Sequence, residues 1–209
     1  MISTLAPDSR RKSNDFEMVL QLSNHRLPKE FFLAMRHQGI RPTRFVLAAS
    51  VAGQTMRLFE TIEDQGRSSG LPPYVLRKRY LISSSAWGVG QTENSNRTPL
   101  GLHRVAEKIG GGQPIGTVFR SRQPAGLTWQ GRPNAAIVHR ILWLGGLEPG
   151  HNRGGNVDTY RRYIYIHGFG DETTLGQPNS HGCLHMAAAD LMPLFDHLAV
   201  GTLVWIEQR

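Results

Sequence analysis

At Arg44 the hydrophobic pattern of this chain changes period, and that change limits what it can fold into. Before it, apolar residues recur at helical spacing; after it, they come in short runs separated by turn residues. Phe16, Val19 and Leu20 fall at i, i+3 and i+4 behind Asn14, a residue suited to capping a first turn. A second helix is expected over residues 28–38, with Pro28 near its first position, Phe31, Phe32 and Met35 as its apolar residues and Gly39 at its stop. Arg41-Pro42 breaks that pattern. Residues 45–51 and 54–60 then read as two strands around a tight turn at Ala52-Gly53. Further strands are expected over 74–83, 100–105, 137–144 and 161–167. In the last, Tyr163, Tyr165 and His167 alternate with Ile164 and Ile166, the period of a strand buried on one side. Residues 84–97 are polar and glycine-rich and read as a loop, as do the connections 110–114 and 148–156. One late helix is expected over 190–198, where Pro193 must fall in the first turn or kink the axis, and 202–207 closes as a strand. The order predicts a mainly-β domain with few helices over 44–209, preceded by a short helical N-terminal segment, 1–43.

A chain of 209 residues can bury a core without disulfide staples. It has one cysteine, Cys183, which excludes an internal disulfide framework and any structural zinc site built on several cysteines. Its 24 Lys plus Arg against 16 Asp plus Glu give a net charge of +8. That favours polyanionic neighbours such as nucleic acid, anionic lipid or acidic envelope polymers, without choosing among them. The basic residues are scattered apart from Arg10-Arg11-Lys12 and Arg77-Lys78-Arg79, and no nucleic-acid motif of the usual kinds is present, so no nucleic-acid partner is expected. The longest apolar stretches, 45–52 and 141–144, fall far short of the ~18–20 residues that span a bilayer. The polar amino terminus lacks the apolar run and cleavage site of a secretory signal, which taken literally predicts a cytoplasmic location.

Groups suited to nucleophilic chemistry or metal binding cluster late, in Ile166-His167-Gly168 and in Ser180-His181-Gly182-Cys183-Leu184-His185. A free thiol is only slightly ionised at neutral pH, and a neighbouring histidine can stabilise its thiolate and later return the proton to a leaving amine. A glycine before the cysteine permits a sharp turn that aims backbone N–H groups at a developing oxyanion. His167 would end a strand, a rigid platform for a base, with residues 169–179 forming a wall of the cleft. Two other readings stay open. Free cysteine is among the most buried residue types, so Cys183 could be a small core residue. His181, Cys183 and His185 also alternate, and an extended chain would place all three on one face as zinc ligands.

At these residues the sequence resembles the L,D-transpeptidase catalytic domain, also called YkuD-type. The pattern is a strand histidine followed by glycine, then a loop, then Ser/Thr-His-Gly-Cys; here it is His167-Gly168 and Ser180-His181-Gly182-Cys183-Leu184. Thr98-Pro99-Leu100-Gly101 is similar to the family's Thr-Pro-x-Gly segment, and Leu194-Phe195-Asp196 followed by Gly201-Thr202 resembles the end of the domain. The resemblance covers roughly 45–206. It implies a β-sandwich or mixed β fold and acyl transfer between peptidoglycan stem peptides through a thioester on Cys183. His167 would be proton acceptor and donor, and Gly168 would orient it through its carbonyl. The N–H groups of Gly182 and Cys183 would form the oxyanion hole, and Ser180, His181 and His185 would shape substrate binding. It implies no metal or other cofactor, covalent inhibition by carbapenems, and a periplasmic or envelope location. One departure stands out: the family's usual arginine two positions after the cysteine is His185 here, a group mostly neutral at pH 7.

Three alternatives follow. The same site could use water as acceptor, making a peptidoglycan carboxypeptidase or amidase. His181, Cys183 and His185 could form a zinc-binding module. The basic charge could serve a nonenzymatic binder of an anionic polymer.

Overall fold

The computed structural model describes residues 26–62 and 72–209, so the helix expected around Phe16 lies outside the described residues. Helix α1 spans Lys29–His37. The strands are β1 (Phe45–Ser50), β2 (Thr55–Thr61), β3 (Tyr74–Ser83), β4 (Gly101–Ile109), β5 (Thr117–Arg120), β6 (Gln123–Leu127), β7 (Val138–Gly146), β8 (Tyr165–Gly168), β9 (Leu184–Met186) and β10 (Leu203–Glu207). Helix α2, Ala188–His197, precedes β10. The domain is therefore mainly β with few helices, as the residue pattern implies.

All ten strands join one sheet in the order β4-β10-β1-β2-β3-β9-β8-β7-β5-β6, and β4 also pairs with β7. That last pairing curls eight strands into a closed ring and leaves the β5–β6 hairpin attached beyond β7. Closure hides the unpaired strand edges that would otherwise invite association. Only β1–β10 and β8–β9 are parallel.

Side-chain alternation divides the apolar residues between two faces. Phe45, Leu47 and Ala49 of β1 point inward with Leu142, Leu144, Ile164, Ile166, Leu184 and the α2 residues Leu191, Leu194 and Phe195. Val46 and Ala48 point outward and are covered by Phe31 and Met35 of α1, together with Phe59, Leu102 and Trp205. Phe31 is fully buried and meets Trp205 and Tyr74 edge-on, a burial that contributes roughly 1.5–3 kcal/mol.

Three details differ from the sequence pattern. β8 begins at Tyr165, because 161–163 form a turn in which Tyr163 takes φ 57° and donates its N–H to Tyr160. Pro193 lies in the second turn of α2, so the helix tolerates a lost backbone donor there. The β5–β6 hairpin turns on Ser121 and Arg122, at φ 46° and 67°, in place of the Asn-Gly pair that such turns favour. Each left-handed non-glycine residue costs about 1–2 kcal/mol.

Candidate active site

Cys183 sits at the end of a tight turn entering β9. Gly182 has φ +121°, and a Cβ there would stand 3.0 Å from Ile164 Cδ1 and 3.2 Å from the Arg97 carbonyl oxygen. Conformation and space both demand glycine. Two hydroxyls hold the turn. Ser180 Oγ accepts the Gly182 N–H at 3.1 Å and donates to the Cys183 carbonyl at 2.6 Å. Buried Thr98 donates to the Gly182 carbonyl at 3.1 Å and accepts the Ser85 N–H at 3.0 Å. The Thr-Pro-Leu-Gly segment thus braces the nucleophile turn. Gly182→Ala is expected to slow acylation of Cys183 by about 10²-fold, since such displacement misaligns the sulfur. Intact-protein mass against time with a carbapenem measures this, and an unchanged rate would refute the geometric argument.

Leu184 pairs with Ile166 and His185 with His167 in the parallel β8–β9 ladder. Cys183 stands one residue before that ladder, on the strand next to the one that carries His167. Cys183 Sγ accepts the Tyr165 N–H at 3.4 Å and donates to the Tyr163 carbonyl at 3.5 Å. Burial pushes the thiol up to about 11, opposed by the Tyr165 N–H and by the Arg162 guanidinium.

Sequence reasoning misses Arg162, which looks like one more scattered surface arginine. Half-buried, it donates to the carbonyls of Gly90 at 3.1 Å, Gln91 at 2.8 Å and Arg97 at 2.6 Å. It clamps the 84–97 loop beside the thiol, and because these partners are neutral its positive charge still acts on the sulfur.

His167 is buried, with Nδ1 2.8 Å from the Gly168 carbonyl oxygen. A carbonyl only accepts, so Nδ1 carries the hydrogen and Nε2 keeps the lone pair. Burial pushes His167 down to about 4, opposed by that carbonyl. Gly168 also leaves room for the His139 ring, which a Cβ would strike.

His185 faces His167 with ring centroids 4.8 Å apart, and stacks on Phe169 at 4.5 Å and 12°. Its Nδ1 is buried without a hydrogen-bond partner. Burial, then the neighbouring His167 and His181, push it down to about 3. His181 lies apart, exposed against the Trp87 ring at 4.5 Å. The strand-like alternation of His181, Cys183 and His185 is therefore broken at Gly182. Among the described residues no three His, Cys, Asp or Glu side chains are grouped to hold a metal ion.

The site brings Ser180, Gly182, Cys183, Gly168, His167 and His185 together and leaves His181 on the outer rim. The Gly182 N–H is engaged by Ser180 Oγ, so it can serve an oxyanion only by sharing its hydrogen. What remains is a thiol and an imidazole, both neutral near pH 7, with the imidazole poised to accept one proton.

The site thus holds a half-buried cysteine on a glycine turn and, on the neighbouring strand, a histidine pinned by its own neighbouring carbonyl. The L,D-transpeptidase catalytic domain family, YkuD, matches residues 48–206, and the chain belongs to that family. The fold is shared with Bdellovibrio bacteriovorus Bd1075, at 13% identity over 80% of this chain and 49% of that one, TM-score 0.50. An L,D-transpeptidase from Mycobacterium smegmatis is similar at 12% identity over 78% of this chain and 58% of that one, TM-score 0.42. L,D-transpeptidase 3 from Mycobacterium tuberculosis, solved in complex with a faropenem-derived adduct, gives 14% identity over 79% and 60%, TM-score 0.44. The chain thus spans less than two thirds of the length of each of these structures. No curated protein sequence matches it. Among the described residues no helix is long and apolar enough to cross a membrane.

Proposed function

We propose that the protein cross-links peptidoglycan stem peptides as a cysteine L,D-transpeptidase in the cell envelope. The observation that carries this reading is the His167–Gly168 contact, which leaves Nε2 with its lone pair on the strand next to the one that Cys183 enters.

The resting pair is neutral, so proton transfer accompanies attack. Nε2 of His167 takes the S–H proton as Sγ bonds to the carbonyl carbon of the stem's third residue, before the terminal D-amino acid. The oxygen becomes negative and is met by the Cys183 N–H, with the Gly182 N–H shared from Ser180. Collapse breaks the C–N bond, and His167 gives its proton to the departing amine. The thioester is then attacked by the amine of a second stem. His167 accepts that amine's proton and returns it to sulfur as the new amide forms. Ser180 holds the turn, His181 with Trp87 forms the rim, and His185 backs the base. No step calls for a metal or other cofactor.

Incubation with tetrapeptide muropeptides, followed by mass analysis, tests this. Cross-linked dimers with release of the terminal amino acid are expected. Only trimmed monomers would replace transfer by hydrolysis at the same site, and unchanged substrate with no Cys183 adduct from a carbapenem would sink the thiol reading.

A further inference from the structure

The turn of the β5–β6 hairpin carries Arg122 over an aromatic cradle beside the sulfur. Its guanidinium lies 4.9 Å from the Trp143 ring centroid and 5.0 Å from that of Tyr163, with the Tyr165 hydroxyl close enough to act on its charge. Trp143 is itself fixed by stacking on Tyr160, with centroids 4.1 Å apart and planes 5° from parallel. The two tyrosines that hold the guanidinium also hold the sulfur: Tyr165 through its N–H and Tyr163 through its carbonyl. The cation and the nucleophile thus share two neighbouring residues.

Its partners among the described residues are all aromatic. A guanidinium presents five donors in a planar fork, and contact with ring faces leaves those donors available. Arg162, the guanidinium that acts on this sulfur, spends its donors on three backbone carbonyls. Ser121 and Arg122 both hold the left-handed conformation that delivers this side chain, and such strain persists where the surroundings over-determine it. A cation framed by rings, with free donors and no acid paired to it among the described residues, fits an incoming carboxylate in the two-pronged geometry arginine favours.

We propose that Arg122, framed by Trp143, Tyr163 and Tyr165, binds the free carboxylate of the terminal D-amino acid that departs when Cys183 is acylated. This rests on the acyl-transfer reading above. That carboxylate is the one nearest the bond being broken, so its capture sets the scissile carbonyl over the sulfur and makes the site selective for stems with an unblocked terminus.

The test compares a tetrapeptide stem ending in free D-alanine with the same stem ending in its carboxamide, following the Cys183 thioester by intact mass. The wild-type protein is expected to favour the free acid by about tenfold or more, the scale of a charged hydrogen-bond pair. Arg122→Gln is expected to lose that preference, acid and amide then reacting at similar rates; Arg122→Lys, which keeps the charge without the fork, should keep part of it. A wild-type protein that acylates equally with acid and amide overturns the proposal without any variant, and so does an Arg122→Gln protein that keeps the full preference. A wild-type protein that gives no thioester with either stem and no adduct with a carbapenem overturns the acyl-transfer reading itself.

Discussion

Replacing Cys183 with alanine is expected to leave the fold intact while lowering turnover of tetrapeptide stems on the order of 10⁴-fold or more, as loss of a covalent nucleophile does. The structural cost is small. Cys183 lies at the margin of the cluster formed by Phe119, Ile141, Trp143 and Tyr165, and its two sulfur hydrogen bonds, at 3.4 and 3.5 Å, are long. The shape of the turn comes from Gly182, Ser180 and Thr98, all unchanged by the substitution. Stability should therefore fall by no more than about 1 kcal/mol. Chemistry has no substitute: Cys183 is the one cysteine in the chain. Circular dichroism and the melting temperature report the fold, product mass reports turnover, and a carbapenem adduct should vanish with the thiol. Turnover that survives in a folded Cys183→Ala protein would overturn the covalent mechanism.

The parts of this molecule legible in the sequence are those whose signal is local. α1 is visible from apolar spacing between Pro28 and Gly39, and β3 appears with the same bounds in pattern and structure, 74–83. The His167-Gly168 and Ser180-His181-Gly182-Cys183 segments stand out because few backbones bring those groups together for another purpose. Other parts are set by long-range contact. β9 is three residues long and exists because β3 and β8 flank it. The β5–β6 hairpin lacks a glycine-bearing turn dipeptide and carries Pro124 and Gly126 inside a strand, so nothing local announces it. Arg162 and Thr98 act on the sulfur and its turn through backbone carbonyls far along the chain, contacts that no spacing encodes. Tyr163 shows the opposite error. Its alternation with Tyr165 and His167 resembles a strand, yet it occupies a turn, and its carbonyl receives the thiol hydrogen from there.

His185 and the base lead to the second large effect: stability should fall steeply as pH drops from about 6.5 toward 4. Burial pushes His103 down to about 3, His167 to about 4 and His185 to about 3, from a common reference of 6.5. His103 is held neutral between the Gly101 carbonyl and Thr159 Oγ1, and His185 lies against His167 with its Nδ1 unpaired. In the unfolded chain all three take a proton near 6.5; in the folded protein they resist until pH 3–4. Between those limits the unfolded state binds more protons, so stability is full above about 6.5 and is lost as pH falls. Each group contributes about 1.4 kcal/mol per pH unit, so three contribute on the order of 4 kcal/mol per unit if they act separately. His167 and His185 are in contact and titrate as a pair, but a domain with about 5–15 kcal/mol in total would still be exhausted within a few units. Calorimetry from pH 8 to 4 should show a plateau above 7 and a falling melting temperature below 6. His185→Gln, which removes one titrating group, should make that fall shallower. A flat profile down to pH 4.5 would mean these imidazoles are not held neutral, and would remove the lone pair assigned to His167 Nε2. The same burial is thus expected to serve both ends: the resting base should stay unprotonated over the range in which the domain is folded, and acid strong enough to protonate it should unfold the domain.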